Sequence, residues 1–235
     1  MVKERTAGKG FTLAEILITL TVIGVVAALT IPTLLQNTNQ AELKTALKRD
    51  FADLQQATLL IKNDNGGTLV NAFINGIVDQ SGTENLKNAF KGKLSYIKDC
   101  TGTSYYGGSG TGSSQEGCWH LANQRWYLNG TILTTDATHP GLVLSNGTLM
   151  VFYLNSNTCS ASTGDYTSCG WIGFDVNGFK KPNTVGKDIF YASLTNDGLI
   201  PQGARSYLDP SSDCNLSNTM GTNTGGGCTV KYLYE

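Results

Sequence analysis

The chain has 235 residues, long enough for one domain with a sizeable core. A net charge of −1 with only 15% charged residues excludes the basic footprint of a nucleic-acid binder. Beyond residue 64 the composition turns to Gly, Asn, Thr and Ser, as in exported loop-and-strand proteins, while its Trp, Tyr and Phe content argues against full disorder.

Residues 1–10 form a basic stub: Lys3, Arg5 and Lys9 against Glu4 give +2, so with −1 overall the remaining residues carry −3. That asymmetry suits a leader held on the cytoplasmic side while the rest crosses a membrane. From Phe11 to Leu35 the chain is uncharged except for Glu15. At 1.5 Å per residue such a run spans a bilayer core with some tilt. A carboxylate inside it is an energetic anomaly, since a charge at the centre of a membrane helix costs roughly 2.5–3.5 kcal/mol on insertion scales. Gly24 and Pro32 interrupt the run, and Pro32 predicts a kink or local melting over residues 28–32. An ordinary signal peptide also begins basic and turns apolar. The early Glu15, the length of the run and its smooth continuation into a further helical pattern argue against that reading.

Over residues 36–63 the pattern becomes one-sided. Leu43, Leu47, Phe51, Leu54, Thr58 and Ile61 recur at steps of three and four, the mark of an amphipathic helix lying on a core. Asn63-Asp64-Asn65-Gly66-Gly67 stops it, with Gly supplying the left-handed cap. A single helix from about residue 12 to 63 would be roughly 75–80 Å long, a stalk leading to a head at residues 64–235.

In the head, a short helix is expected around Thr83–Phe90. Residues 105–117 (YYGGSGTGSSQEG) read as a flexible loop, and residues 141–155 as a hairpin turning at Ser145-Asn146-Gly147. Residues 170–178 and 188–200 read as strands, the latter turning at Asn196-Asp197-Gly198, and Tyr207–Glu235 as loop. The fold class is α+β, one long N-terminal helix on an antiparallel sheet. Cys100, Cys118, Cys159, Cys169, Cys214 and Cys228 are even in number and lack any C-x-x-C, which points to disulfides in an oxidising compartment. Six cysteines admit 15 pairings, and sequence proximity favours 100–118, 159–169 and 214–228.

Weaker signals remain in the head. Asp175, Asn177, Asn183 and Asp188, around Gly178 and Gly186, offer oxygens at a spacing that a Ca²⁺ loop uses. The missing glutamate at the twelfth position and the intrusion of Lys180 and Lys181 favour a pair of Asx turns feeding a strand. Trp119, Trp126, Tyr105, Tyr106 and Tyr127 form either a stacking surface or core beside Cys118. His120 and His139 lack neighbours at metal spacing and read as polar residues of surface or core. No nucleophile elbow, phosphate loop or HExxH occurs, and GGSGTG fits neither glycine-rich cofactor pattern. No cofactor and no enzymatic activity are expected.

The N-terminal stretch KGFTLAEILITLTVIGVVAALTIPTL resembles the class III signal of type IV pilins and type II secretion pseudopilins. The resemblance is close over residues 8–35, is one of helical pattern to about residue 63, and is general thereafter. It implies a pilin-like fold, cleavage by a prepilin peptidase between Gly10 and Phe11, N-methylation of Phe11, and Glu15 as the family's acidic assembly position. It further implies a subunit parked in the inner membrane with its head outside the cytoplasm, later drawn into a periplasmic pseudopilus or surface pilus. Sister subunits, an assembly platform and its ATPase would be the partners. A minor or tip pilin acting as an adhesin is the alternative the resemblance leaves open. In the family the stretch around Gly24 and Pro32 can lose helicity on polymerisation.

Overall fold

A single helix, α1 (Leu13–Asp64), opens the computed structural model, which describes residues 10–73, 80–100, 118–120, 124–134, 139–163, 165–204, 213–214 and 225–235. The chain divides into two compact units, Met1–Glu42 and Leu43–Glu235, and α1 contributes to both.

In the first unit every large apolar side chain from Phe11 to Leu35 is exposed. The helix is continuous through Gly24 and Pro32, so residues 28–32 are helical and not melted. Pro32 brings a backbone angle already suited to a helix and removes one N–H donor. Threonine hydroxyls donate to carbonyls one turn back, Thr30 to Val26 and Thr33 to Thr30 at 2.9 Å each, which keeps these polar groups satisfied in an apolar stretch. Thr19 and Thr21 do the same to Ile16 and Leu17.

In the second unit α1 shows a buried stripe. Leu47, Phe51, Leu54, Thr58 and Ile61 are buried and Leu43 packs at its margin, as the three-four spacing predicts. The helix closes on Gly66 and Gly67, with φ of 71° and 87°, and the Gly67 N–H donates to the Lys62 carbonyl at 2.8 Å. A second helix, α2 (Gln80–Lys91), covers the expected Thr83–Phe90.

The strands are β1 (Tyr96–Cys100), β2 (Gly141–Leu144), β3 (Leu149–Leu154), β4 (Ala161–Thr163), β5 (Tyr166–Ser168), β6 (Gly170–Asp175), β7 (Ile189–Thr195) and β8 (Gly198–Pro201). Six of them form one antiparallel sheet in the order β1-β2-β3-β6-β7-β8, and β4 and β5 pair separately as a small hairpin. Leu142, Met150, Phe152, Ile172, Phe174 and Phe190 share a core with the α1 stripe, while Val143, Leu149, Val151 and Ile189 join a second cluster with Trp119 and Leu133. Apolar burial on both faces explains why β2 and β3 read as near-continuous apolar runs. The expected hairpin turn is present, with Gly147 at φ 91°.

The cysteines pair as Cys100–Cys118, Cys159–Cys169 and Cys214–Cys228. The first bridge leaves the end of β1, the second closes the β4–β5 excursion between β3 and β6, and the third fixes the start of a last helix, α3 (Cys228–Tyr234). That helix corrects the reading of Tyr207–Glu235 as loop throughout. Its N-terminal side is organised by Asp213, whose carboxylate accepts the Gly227 N–H, and Tyr232 and Leu233 pack onto the core.

Candidate functional site

Helix α1 begins at a reciprocal capping box. Thr12 is the N-cap residue: its N–H and its hydroxyl both donate to Oε2 of Glu15 at 2.8 Å, and the Glu15 N–H donates back to the Thr12 hydroxyl at 3.3 Å. The sequence carries the signal for this arrangement, a threonine three residues before a glutamate at the head of an apolar run. Both donors fall on Oε2, so Oε1 of Glu15 has none among the described residues. The carboxylate thus satisfies its own helix terminus with one oxygen and offers the other to a cation. The macrodipole favours an anion there by up to about 1 kcal/mol, less than the insertion cost of a charge.

Around it the surface is apolar on all sides. Phe11 is 84% exposed and Leu13 85%, and no large apolar residue up to Leu35 is less than 46% exposed. An 18-residue window of the helix reaches a mean hydropathy of 2.3, long and apolar enough to cross a membrane. Gly10 is exposed at the first described position. A surface of this kind needs lipid or other helices around it.

Residues 5–31 match the family model described as the prokaryotic N-terminal methylation motif. This is the signature of type IV pilins and pseudopilins. No curated protein and no solved structure matches the chain. The motif supports a subunit of the type IV pilin or pseudopilin type, and the apolar helix fits membrane anchoring. They point to a structural subunit.

The residues singled out in the head come together in a buried polar cluster. Asp175 and Asp188 are fully buried. The two oxygens of Asp188 accept the N–H groups of Asn183 at 2.8 Å and Thr184 at 2.6 Å. Asp175 accepts the Asn177 N–H at 3.2 Å through Oδ1, and its Oδ2 lies 2.8 Å from Nε2 of His120. N–H donors thus point at the Asp175 and Asp188 carboxylates, while the side-chain oxygens of Asn177 and Asn183 are buried with no hydrogen-bond partner among the described residues. The Asn177 N–H bond to Asp175 closes an Asx turn, and His120 meets the other oxygen of the same carboxylate.

Burial, and behind it the Arg125 charge, pushes the His120 imidazole down to about 4. Burial and the neighbouring Asp188 push the Asp175 carboxyl well above its ordinary range. Both shifts favour an uncharged imidazole against a carboxyl that keeps its proton, the state least disfavoured by removal from water. His120 shows no partner in the sequence because Asp175 lies 55 positions away.

The aromatic residues separate as well. Trp119 is core, 2% exposed beside the buried Cys118, and Trp126 forms bridges with Ile132 and Thr184. Tyr105 and Tyr106 lie outside the described residues, as does the loop 105–117. His139 instead stacks on Tyr153, with ring centroids 4.8 Å apart, in a row that continues through Trp171 to Tyr191.

Proposed function

We propose that the chain is a structural subunit of a type IV pilus or type II secretion pseudopilus, cut between Gly10 and Phe11, methylated on the new Phe11 amine and polymerised through residues 11–35. The observation that carries this reading is the all-round apolar exposure from Phe11 to Leu35 behind a methylation motif. The basic leader holds the N-terminus in the cytoplasm and the head outside it, in a bacterial inner membrane, until assembly. Once the leader is removed, Glu15 meets the charged Phe11 amine of a neighbouring subunit through Oε1. That pairing relieves the desolvation of both groups and fixes axial register between helices. The assembly platform and its ATPase would draw the subunit from the membrane. The size of the second unit, Leu43–Glu235, favours a minor or tip subunit whose disulfide-stapled head contacts a ligand as the second reading.

Mass spectrometry of the purified protein tests the processing step: the expected N-terminal peptide starts at N-methylated Phe11, and an unmodified terminus upstream would overturn it. Glu15→Ala tests assembly. Filaments are expected to vanish while membrane levels and head stability stay at wild-type values, and unchanged filaments would count against the role given to Glu15.

A further inference from the structure

The second unit carries a cavity of about 360 Å³ on one flank of α1. Arg49, Asp53 and Leu60 line it from the helix, Lys93 and Leu94 from the segment that follows α2, and Leu144 from the end of β2. Its lining mixes apolar side chains with charges of both signs, with the Arg49 side chain 48% exposed. Elsewhere on the same unit Tyr234 is 77% exposed on α3, the most exposed aromatic side chain among the described residues of this unit. Its neighbours are fixed: Glu235, the C-cap of α3, pairs with Lys44 of α1 at 2.7 Å, and the Lys44 ammonium lies 4.6 Å from the Tyr232 ring.

The helix sets where these two features stand. At about 100° per residue, Arg49, Asp53, Gln56 and Leu60 lie roughly 120–180° around α1 from Lys44. The exposed tyrosine, beside the Glu235 that pairs with Lys44, and the cavity therefore lie on different flanks of this part of α1, neither blocking the other. A projection on one flank and a recess on the other make a heterologous contact, which repeats from copy to copy without closing on itself. The chemistry also matches. A tyrosine ring suits the Leu60, Leu94 and Leu144 side chains and the face of the Arg49 guanidinium, and the Asp53 carboxylate offers its hydroxyl an acceptor.

We propose that Tyr234 of one copy docks into the cavity lined by Arg49, Asp53, Leu60 and Leu94 of a second copy, as a head-to-head contact along the assembled subunits. The proposal rests on the assembly reading above. One side chain in one recess is far smaller than a free-standing interface of about 800 Å² per partner. Copies already tethered through their N-terminal helices meet at high effective concentration, where a small contact suffices.

The test places a photo-crosslinking phenylalanine analogue at Tyr234 of the full-length protein in assembled material, with a second version carrying the probe at Leu20 in the apolar helix. Crosslinks from position 234 to peptides 49–60 or 93–95 of another copy are expected. Leu60→Arg, at a half-exposed position, should lower that yield by about tenfold with an unchanged melting temperature. Crosslinks between copies from position 20, with those from 234 absent or landing elsewhere, overturn the docking alone. Loss of inter-copy crosslinks from both positions overturns the assembly reading and the docking with it.

Discussion

Residues 13–35 and 43–63 belong to one helix and answer the same question in opposite ways. Both satisfy their backbone groups by i to i−4 bonding, and both are rich in Leu and Ala. Leu47, Phe51 and Leu54 disappear beneath a β-sheet, whereas Leu13, Leu17 and Leu20 remain 62–85% exposed. The hydrophobic effect does not distinguish a sheet of the same chain from lipid or a neighbouring subunit, because it depends on apolar area removed from water. What distinguishes the two halves is the charged face: Lys44, Lys48, Asp53 and Lys62 tell one side of the second half to face water, and nothing in the first half does so. Monomer stability therefore belongs to the second stretch, and the assembly proposed above draws chiefly on the exposed apolar surface of the first.

Cutting between the halves is the most severe trial of this division. A chain starting at Leu43 is expected to be soluble and monomeric without detergent and to melt at the temperature of the intact protein's head, by size-exclusion chromatography and circular dichroism. A truncated chain that aggregates or unfolds would show that the first half also stabilises the second.

A matched pair of substitutions separates the halves more finely. Leu54→Ala removes a fully buried side chain and should destabilise the head by about 2–5 kcal/mol. Leu20→Ala alters a side chain that touches no core and should change head stability by less than about 0.5 kcal/mol while weakening association. Denaturant melts in detergent, with filament yield scored alongside, tell the two outcomes apart. Next in size, replacing Cys214 and Cys228 by serine should cost about 3 kcal/mol, the loop-entropy contribution of a bridge spanning 14 positions, and loosen α3.

How much of this was legible in the sequence depends on whether the cause is local. The bounds and buried stripe of α1 follow from periodicity and a Gly-Gly stop, and the turns at 145–147 and 196–198 from Asn and Gly between apolar runs. The disulfide pairing followed proximity. Strand β1 escaped because it lies at the sheet edge, exposed through Asp99, and lacks apolar alternation. The β4–β5 hairpin is built from Ser, Thr and Tyr, whose pattern reads as loop until a bridge and a register hold it. Helix α3 depends on a disulfide and on Asp213, neither of them a helix signal. The Thr12–Glu15 box was legible but overshadowed, since one carboxylate served two readings at once. Long-range polar pairs such as His120–Asp175 have no local signature at all.

Asp50 gives the smallest effect and brings the contrast down to a single side chain, being a carboxylate on the buried face of the second half as Glu15 is on the apolar first half. It is fully buried and accepts the Thr148 hydroxyl at 2.6 Å and the Asn146 amide at 2.9 Å, with Arg49 also at 2.9 Å, which ties α1 to the β2–β3 turn. Burial pushes its pKa up, outweighing these bonds and the Arg49 charge, which pull it down. The folded chain then holds the proton more tightly than the unfolded chain. The stability Asp50 contributes is complete below the ordinary carboxylate value of 3.8 and declines as pH rises through the raised folded value. Asp50→Asn keeps an oxygen for Thr148 but cannot titrate, so its stability lacks this decline. The deficit of the variant relative to wild type should therefore be larger at pH 4 than at pH 7, each tenfold gain in proton affinity on folding being worth about 1.4 kcal/mol. Urea melts of both proteins at the two pH values measure it. A deficit that grows toward neutral pH would mean that the hydrogen bonds, rather than burial, govern this carboxylate.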